Sequence, residues 1–331
     1  MHTLYVENVT KRYGSLTAVD GVSFEAQPGR ILGLLGPNGA GKTSTIRMIA
    51  YITAPDEGHI RFGDMPVGRR TQERMGYLPE ERGLYPKMKV GEQLLYFAEL
   101  KGLSRREARN NVDYWLDRFQ ATAWFDKKTS ELSKGMQQKV QFIATILHEP
   151  ELLILDEPFG GLDPINSELL QKVIMELKAD NRTILFASHR MEQVEQLCDD
   201  ICLVSRGQIV VSGELNEIKR SYGKNTVMMD FSGSDAFLDR LERSDRVRIN
   251  ARSTRHAEIR LLADTAPRFV LEEALKDVDD ITTFDLVQPP MREIFVTAVT
   301  EQQGADAARS VTTNGEAIEA SAEAKNPTQD A

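Results

Sequence analysis

One short segment constrains this chain more than any other, because its glycines precede a lysine and a threonine at fixed spacing. The segment fits G-x-x-x-x-G-K-[ST], the phosphate-binding loop or Walker A pattern. The glycines allow positive φ angles that bring backbone N–H groups close to phosphate oxygens, and the following helix adds its positive N-terminal end. The residues predicted to bind the nucleotide here are Gly36, Pro37, Asn38, Gly39, Ala40, Gly41, Lys42, Thr43 and Ser44.

Two residues of this loop are expected to act directly on the nucleotide. The Lys42 ammonium would reach the β- and γ-phosphates, and the Thr43 hydroxyl would ligate Mg²⁺. An apolar run at 31–35 predicts a buried parallel strand before the loop, and Ile46 and Ile49 repeat at helical spacing after it. The alternative is a glycine-rich turn before an ordinary helix, which this strand-and-helix context disfavours.

A second apolar run ends in two acids. Residues 152–155 are all Leu or Ile, and Asp156 and Glu157 follow directly. In this Walker B pattern the strand would place Asp156 beside the nucleotide, where it holds Mg²⁺ directly or through water. Glu157 is then predicted to be the base that orients and deprotonates the attacking water. The alternative is an acidic N-cap in an α/β loop.

A histidine follows a third apolar strand. His189 comes just after residues 183–187, and ligands bind at the C-terminal edge of open α/β sheets. Its imidazole is therefore a candidate catalytic group in contact with the γ-phosphate. A histidine whose hydrogen bonds are satisfied within a turn fits the same spacing.

Composition and charge narrow the range of partners. The chain has 331 residues and a formal net charge of −9, with a pI of about 5.3. Non-specific nucleic-acid binding needs a basic face, so no nucleic-acid partner is expected. Cys198 and Cys202 are too few for a zinc site and are expected to be small buried residues in a reducing cytoplasm. The first residues lack the features of a signal peptide, and no apolar run approaches the ~20 residues that span a bilayer.

The succession of patterns predicts an α/β fold. Strands alternate with helices, which favours a mostly parallel sheet covered on both faces in a P-loop NTPase core. Residues from about 90 to 133 look helical and are predicted to be an insertion, with Ser104 and Glu107 forming a capping box. A further helix begins at Asp163, and its buried face is expected to include Ile165.

The pattern changes beyond Gly223. Strands and helices predicted between Thr226 and Leu286 follow the order β-α-β-β-α-β, which suggests a small ferredoxin-like α+β domain. A closing helix is predicted at Met291–Val299, and the residues after it are too poor in large apolar side chains to fold. The predicted organisation is an ATP-binding domain at 1–222, a small accessory domain at 223–299 and a disordered tail at 300–331.

These motifs occur in the order found in ABC-transporter ATPase subunits. Between and after them the chain carries Leu-Ser-Lys-Gly-Met-Gln at 132–137 and Gly-Leu-Asp at 161–163. The two segments resemble the signature and the D-loop of that family, and the resemblance covers about residues 3–220. It implies an ATPase that forms a head-to-tail dimer with itself or with a paralogue, in which each ATP is held by the phosphate loop of one subunit and the signature of the other.

The resemblance also implies further nucleotide contacts. Ser133 and Gly135, at a helix N-terminus, would offer a hydroxyl and N–H groups to the γ-phosphate. Asp163 of the D-loop is counted among the same binding residues. Tyr13 matches the aromatic residue that stacks on adenine in the family, and an ordinary edge aromatic is the alternative.

Two places depart from the family pattern. The usual signature is Leu-Ser-Gly-Gly-Gln, and here Lys134 and Met136 replace its third and fifth residues. Lys134 either adds a positive charge near phosphate or is simply solvated. The loop that normally offers Gln to Mg²⁺ has Glu80, a hard oxygen donor that is expected to ligate Mg²⁺. While ionised, Glu80 cannot donate a hydrogen bond as an amide does.

Residues 77–85, residues 132–139 and the small C-terminal domain resemble the sodium-exporter (NatA-type) group of the family. Its members pair with a separate integral-membrane permease. The chain is therefore expected in the cytoplasm, peripheral on the inner face of the cell membrane through that permease. Candidate permease contacts, or else ordinary core and loop residues, are Leu84, Tyr85, Tyr96 and Phe97.

The predicted function is the ATP-hydrolysing subunit of an ABC exporter, with ATP and Mg²⁺ as cofactors. The alternative is a soluble ABC-type ATPase that acts on ribosomes or DNA. Such translation factors usually carry two cassettes and DNA-repair relatives carry long coiled coils, whereas this chain has one phosphate loop and no heptads. A regulator that only binds through this fold is a third interpretation, and intact Glu157 and His189 speak against it.

Overall fold

The computed structural model describes residues 2–81, 83–223, 225–262 and 265–300. The chain divides into two compact units, Met1–Leu215 and Asn216–Ala331. The division falls a few residues before Gly223, where the sequence predicted a domain boundary. Of the tail predicted at 300–331, all but Thr300 lies outside the described residues.

Strands and helices alternate along the first unit. In chain order its elements are β1 (Leu4–Tyr13), β2 (Leu16–Ala26), β3 (Ile31–Leu35), α1 (Lys42–Ile49), β4 (Glu57–Phe62), β5 (Met65–Pro66), α2 (Arg69–Glu73), β6 (Met75–Leu78), α3 (Val90–Leu100), α4 (Arg105–Arg118), two 3₁₀ turns (Thr122–Trp124 and Thr129–Glu131), α5 (Lys134–Ile146), β7 (Leu152–Asp156), α6 (Pro164–Ala179), β8 (Thr183–Ser188), α7 (Met191–Leu197), β9 (Asp200–Ser205) and β10 (Gln208–Glu214). Helix α8 (Leu215–Ser221) lies at the division.

The main sheet of the first unit has six strands in the order β10-β9-β3-β8-β7-β6. Neighbours pair in parallel except β9 and β10, which are antiparallel. Every residue of β3, β7 and β8 is buried, because a parallel sheet of this kind is covered on both faces. The predicted α/β fold is confirmed. A smaller antiparallel sheet has the order β2-β1-β4-β5.

Helices α3 and α4 and the two 3₁₀ turns occupy the stretch predicted as a helical insertion. The predicted capping box is present at the start of α4. The Glu107 N–H donates to Ser104 Oγ at 3.3 Å, and the Ser104 N–H donates to Glu107 Oε2 at 2.9 Å. No helix in the described ranges is long and apolar enough to cross a membrane.

One prediction about α6 was wrong. Ile165 is 80% exposed, and the buried residues of the helix begin at Leu170. Helical spacing identifies residues that share a face, but it does not tell how far along the helix that face is covered. Asp163 does cap the helix as predicted, because its carboxylate accepts the Asn166 N–H at 2.9 Å.

The second unit has the predicted β-α-β-β-α-β order. Its elements are β11 (Thr226–Gly233), α9 (Ala236–Glu242), β12 (Val247–Arg252), β13 (His256–Leu261), α10 (Pro267–Ala274), β14 (Val278–Val287) and a helix at residues 291–300, here α11. The four strands form an antiparallel sheet in the order β12-β13-β11-β14, as in a ferredoxin-like fold.

Candidate active site

The phosphate loop joins β3 to α1 through backbone that only glycine adopts easily. Gly36, Gly39 and Gly41 have φ angles of 150°, 78° and 107°. A Cβ added at Gly36 would collide with the Val204 carbonyl oxygen, and one at Gly41 would collide with the Ala18 carbonyl oxygen. All three glycines are therefore required by the turn, and Gly36 and Gly41 also by the close approach of neighbouring strands.

Lys42 stands at the first position of α1, and its side chain turns back over its own loop. Its Nζ donates to the Gly36 carbonyl at 2.7 Å and to the Pro37 carbonyl at 3.1 Å. Burial lowers the pKa of Lys42, while the nearby carboxylates of Glu157, Asp156 and Glu80 act to raise it. The only cation among these groups is thus held at the mouth of the loop, facing three acids.

Parallel pairing brings the ends of three strands to one edge of the sheet. Leu35 at the end of β3 is in register with Ser188 at the end of β8. Asp156 at the end of β7 is in register with Ala187. The phosphate loop, the two acids and His189 therefore start from neighbouring strand ends, at the edge where ligands bind in such sheets.

Asp156 is the buried acid of the site. Asp156 is only 4% exposed, and no group among the described residues donates a hydrogen bond to its carboxylate. Burial, followed by the carboxylates of Glu80 and Glu157, raises the pKa of Asp156 to about 6, while Lys42 opposes the shift. A buried carboxylate without a donor is costly, so its position is compatible with a cation partner.

Glu157 follows Asp156 in a left-handed conformation, with φ of 49°. Its backbone N–H donates to the Ala187 carbonyl at 2.9 Å. Its Oε1 accepts from the His189 N–H at 2.7 Å and lies 2.6 Å from His189 Nδ1. Its Oε2 accepts from the Ser188 hydroxyl at 3.1 Å. The structure thus brings the predicted base and the predicted histidine into direct contact.

The contact with Glu157 fixes the orientation of the imidazole. An ionised carboxylate only accepts hydrogen bonds, so His189 Nδ1 carries the proton and Nε2 is left to face outward. The His189 side chain is 56% exposed. A cavity of about 460 Å³ opens beside these groups, and Glu80, Glu157 and His189 line it. The loop that carries Glu80 is held by Gln141, whose Nε2 donates to the Pro79 and Glu81 carbonyls.

Other predicted binding residues lie apart from this cavity. Ser133 caps α5, accepting the Met136 N–H at 3.3 Å, and Gly135 sits so close to Gly161 that an added Cβ would lie 3.0 Å from its carbonyl oxygen. Tyr13 is 45% exposed at the end of β1, with Lys11 Nζ 5.7 Å from its ring centre. Among the described residues, none of these side chains is hydrogen-bonded to Lys42 or Glu157.

Comparison with known proteins places the chain in a family. A family model described as ABC transporter matches residues 19–160, and one described as ATP-binding protein DrrA1-3-like, C-terminal domain, matches residues 213–299. A third, described as AAA domain, putative AbiEii toxin, Type IV TA system, matches residues 128–193. The chain is 44% identical over 307 residues to YhaQ of Bacillus subtilis (strain 168), an uncharacterized ABC transporter ATP-binding protein, covering 89% of this chain and 98% of that one. The chain belongs to the ABC transporter ATP-binding proteins.

Further relatives of this ABC ATPase have more informative names. Linearmycin resistance ATP-binding protein LnrL of Bacillus subtilis (strain 168) is 35% identical, over 71% of this chain and 77% of its own. Nod factor export ATP-binding protein I of Paraburkholderia xenovorans (strain LB400) is 40% identical, over 62% of this chain and 69% of its own. A solved structure titled as the ATP binding subunit of an ABC transporter is 32% identical with a TM-score of 0.63, covering 66% of this chain and 93% of that chain.

As a member of this family the chain is an ATP-binding protein and an ATPase. Its structure gathers Lys42, Glu80, Asp156, Glu157 and His189 at one sheet edge. Sequence reasoning missed Ser188, which bonds the second oxygen of Glu157. The available signal was its place between an apolar strand and His189, where a buried polar side chain needs a partner.

Proposed function

We propose that this ABC ATPase hydrolyses ATP·Mg²⁺ at the C-terminal edge of its main sheet in order to drive export through a separate membrane permease. The observation that carries the proposal is the contact between Glu157 and His189 beside Asp156 and the phosphate loop. Glu157 is the base for the attacking water, and His189 presents Nε2 to the γ-phosphate. Lys42 and the loop amides hold the β- and γ-phosphates.

The residues of this site suit Mg²⁺, which would supply charge neutralisation on the phosphate oxygens. Thr43, Glu80 and Asp156 offer hard oxygen atoms that can ligate Mg²⁺. The Asp156 carboxylate accepts no hydrogen bond from the described residues, so it is available to the metal ion. In the described part of the chain, no group of three or more His, Cys, Asp or Glu side chains could hold a metal ion alone. The phosphates of ATP therefore belong to the proposed coordination set.

The nucleotide site is completed by a second copy of the chain. Ser133 and Asp163 are exposed helix caps and Gly135 is a partly exposed residue of the first turn of α5. None of the three lines the cavity around Glu157, and they would meet the γ-phosphate of the partner's ATP. Ile165 in the next turn is 80% exposed, which suits a surface that a partner covers. Tyr13, exposed at the end of β1, stacks on adenine in this proposal.

An apolar groove offers a place for the permease. Its volume is about 660 Å³, and its apolar lining includes Leu84, Phe97 and Leu100. The nearby aromatic residues Tyr85 and Tyr96 are 49% and 44% exposed. A short amphipathic helix in a cytoplasmic loop of the permease would bury its apolar face here. Such a partner would hold the chain at the inner face of the membrane.

The direction of transport and the subgroup belong to the same proposal. Export is supported by the names of two relatives, the linearmycin resistance protein LnrL and the Nod factor export protein. The narrower assignment to the sodium-exporter (NatA-type) group rests on residues 77–85 and the small C-terminal unit. A soluble ATPase that acts on ribosomes or DNA gains no support from any feature of the site.

The role of Glu157 is tested by Glu157→Gln, which keeps the shape of the side chain and removes its basicity. We expect ATP hydrolysis by the purified chain to fall by at least about 100-fold, with ATP affinity within about twofold of wild type. Glu168→Gln, an exposed substitution in α6, is the matched control and should change neither. Hydrolysis at the wild-type rate by Glu157→Gln would remove Glu157 from the mechanism.

A further inference from the structure

The buried hydroxyl of Ser188 contacts Glu157, and the mechanism above does not use it. Ser188 is the last residue of β8 and is fully buried, with 0% of its surface exposed. Its Oγ lies 3.1 Å from Glu157 Oε2 and 3.2 Å from Gln193 Oε1, and it accepts the Arg190 N–H at 3.1 Å. It therefore joins the acid on one strand end to the first helical turns of α7.

A hydroxyl has one proton to donate and two lone pairs that accept. Glu157 and the Gln193 carbonyl cannot both receive that single proton. All three contacts are satisfied when the Gln193 amide turns its Nε2 group toward Ser188. Arg190 and Gln193 then donate to Oγ, and the Ser188 proton is committed to Glu157 Oε2.

The lone pairs of Glu157 lead to the same assignment. An ionised carboxylate has about four lone-pair sites, two on each oxygen. His189 occupies Oε1 with two donors, its backbone N–H and Nδ1. Ser188 occupies one site on Oε2, so the second site on Oε2 is the one left to accept a proton from water. Ser188 fixes the direction in which that site points.

We propose that Ser188 is a positioning residue for Glu157, and that Gln193 commits the Ser188 proton to it. The inference rests on the proposed role of Glu157 as the base. Without the Ser188 hydroxyl, the carboxylate would be anchored through Oε1 alone and would rotate about its terminal bond. The chemical step would slow, while ATP binding by the phosphate loop would not change.

The primary test is Ser188→Ala in the full purified chain, with Ser205→Ala as the matched control. Ser205 is also a buried serine, 5% exposed, at the end of β9, and it makes no hydrogen bond to Glu157. For Ser188→Ala we expect kcat for ATP hydrolysis to fall about tenfold, with KM and ATP affinity within about twofold. Ser188→Thr keeps the hydroxyl and should recover most of the rate. An unchanged kcat in Ser188→Ala, or no recovery in Ser188→Thr, would overturn the proposal.

A double-mutant comparison separates positioning from a general loss of structure. In a Glu157→Gln background, Ser188→Ala should not lower the residual rate of ATP hydrolysis any further, because the base is already absent. An equal tenfold loss in both backgrounds would overturn the positioning role. A Glu157→Gln variant that hydrolyses normally would instead refute the proposed function itself.

Gln193→Ala gives a milder probe if Ser188→Ala does not fold. Gln193 is half-buried on α7, where alanine favours the helix. Without the Gln193 side chain, the Ser188 hydroxyl loses one of the contacts that direct its proton to Glu157. We expect kcat to fall about threefold without a change in KM. An unchanged kcat in this variant would contradict the assignment of the proton.

Discussion

Lys42 lies among three carboxylates and two carbonyl oxygens of its own loop. ATP must displace the two carbonyl contacts in order to reach the ammonium, and the phosphates then satisfy the same charge more strongly. The fold holds three carboxylates near Lys42, and one of them, Asp156, is buried without a hydrogen-bond donor among the described residues. At the scale of single residues, the site is therefore arranged for a highly charged ligand that brings its own cation.

Lys42→Ala should weaken ATP binding by at least about 100-fold, because one charge-assisted contact to the phosphates and the neutralisation of three acids are lost together. Isothermal titration of the purified chain with ATP·Mg²⁺ measures this directly. Lys172→Ala, at an exposed position in α6, is the control and should bind as wild type does. Equal affinity in Lys42→Ala would contradict the assignment of the phosphate loop.

The raised pKa of Asp156 makes a prediction about stability and pH. Because ionised Asp156 is disfavoured in the fold, Asp156→Asn should raise the free energy of unfolding at pH 8 by on the order of 2 kcal/mol in metal-free, nucleotide-free protein. Wild type recovers this difference as the pH falls through about 6, since the carboxyl then protonates in the folded state.

Urea unfolding at a series of pH values, with a chelator present, tests the prediction. The advantage of Asp156→Asn should vanish below about pH 4, where the group is protonated in both folded and unfolded chains. An advantage that stays constant across the range would show that Asp156 is not the titrating group.

Regular elements were the most predictable part of the chain. The strands β3 and β7 were predicted from apolar runs that end in a loop motif, because a short, fully apolar run before such a motif is typical of a buried parallel strand. The capping box of Ser104 and Glu107 and the Asp163 cap follow from local hydrogen bonds. Ile165 was misplaced because its cover depends on a neighbouring element rather than on spacing. Ser188 was missed for the same reason, since its partners Glu157 and Gln193 lie on other elements.

Helix α11 shows how an element is held by one buried pair. Glu293 is 9% exposed and lies 2.8 Å from Arg260 Nη1, while its Oε2 accepts from Asn250 at 3.0 Å and from Thr226 at 3.3 Å. Met291 and Ile294 are fully buried on the same helix. The helix therefore packs on the sheet of the second unit through the ion pair of Glu293 and Arg260, with buried apolar residues of the same helix beside it.

Glu293→Ala should remove this contact and leave Arg260 with the Thr297 hydroxyl but no carboxylate partner, at a cost of about 3 kcal/mol. We expect hydrogen exchange at residues 291–300 to accelerate strongly, with ATP affinity unchanged. Glu242→Ala, an exposed residue of α9, should leave exchange in this helix as it is. Unaltered protection of α11 in Glu293→Ala would show that the apolar residues suffice.

The sequence motifs identify this molecule as an ABC cassette, but the structure of a single chain does not show its partners. Ser133 and Gly135 were identified by resemblance, and neither lines the chain's own cavity, which is compatible with the proposed second copy. Of the four candidate permease contacts, Leu84 and Phe97 line the groove and Tyr85 and Tyr96 do not, and their role as contacts stays a prediction. The volume of the groove could not be foreseen, because it depends on how α3 and the loop after β6 pack together.

The proposed permease contact gives a prediction at the scale of the whole molecule. Leu84→Glu would place a charge in the apolar groove and should abolish recruitment to membranes when the chain is co-expressed with its proposed permease. ATP hydrolysis by the isolated chain should stay within about twofold of wild type. Leu275→Glu, at a leucine that is 62% exposed, is the control and should be recruited normally. Recruitment of Leu84→Glu at the wild-type level would exclude this groove.

In the proposed function, a base on one chain activates the water that cleaves ATP held between two chains. Sedimentation of Glu157→Gln with labelled ATP and Mg²⁺ measures whether the two chains and the nucleotide stay together. We expect a dimer that retains one uncleaved ATP per chain, and no dimer when Ser133→Arg blocks the shared surface. A Glu157→Gln chain that stays monomeric with ATP·Mg²⁺ bound would contradict the proposed function.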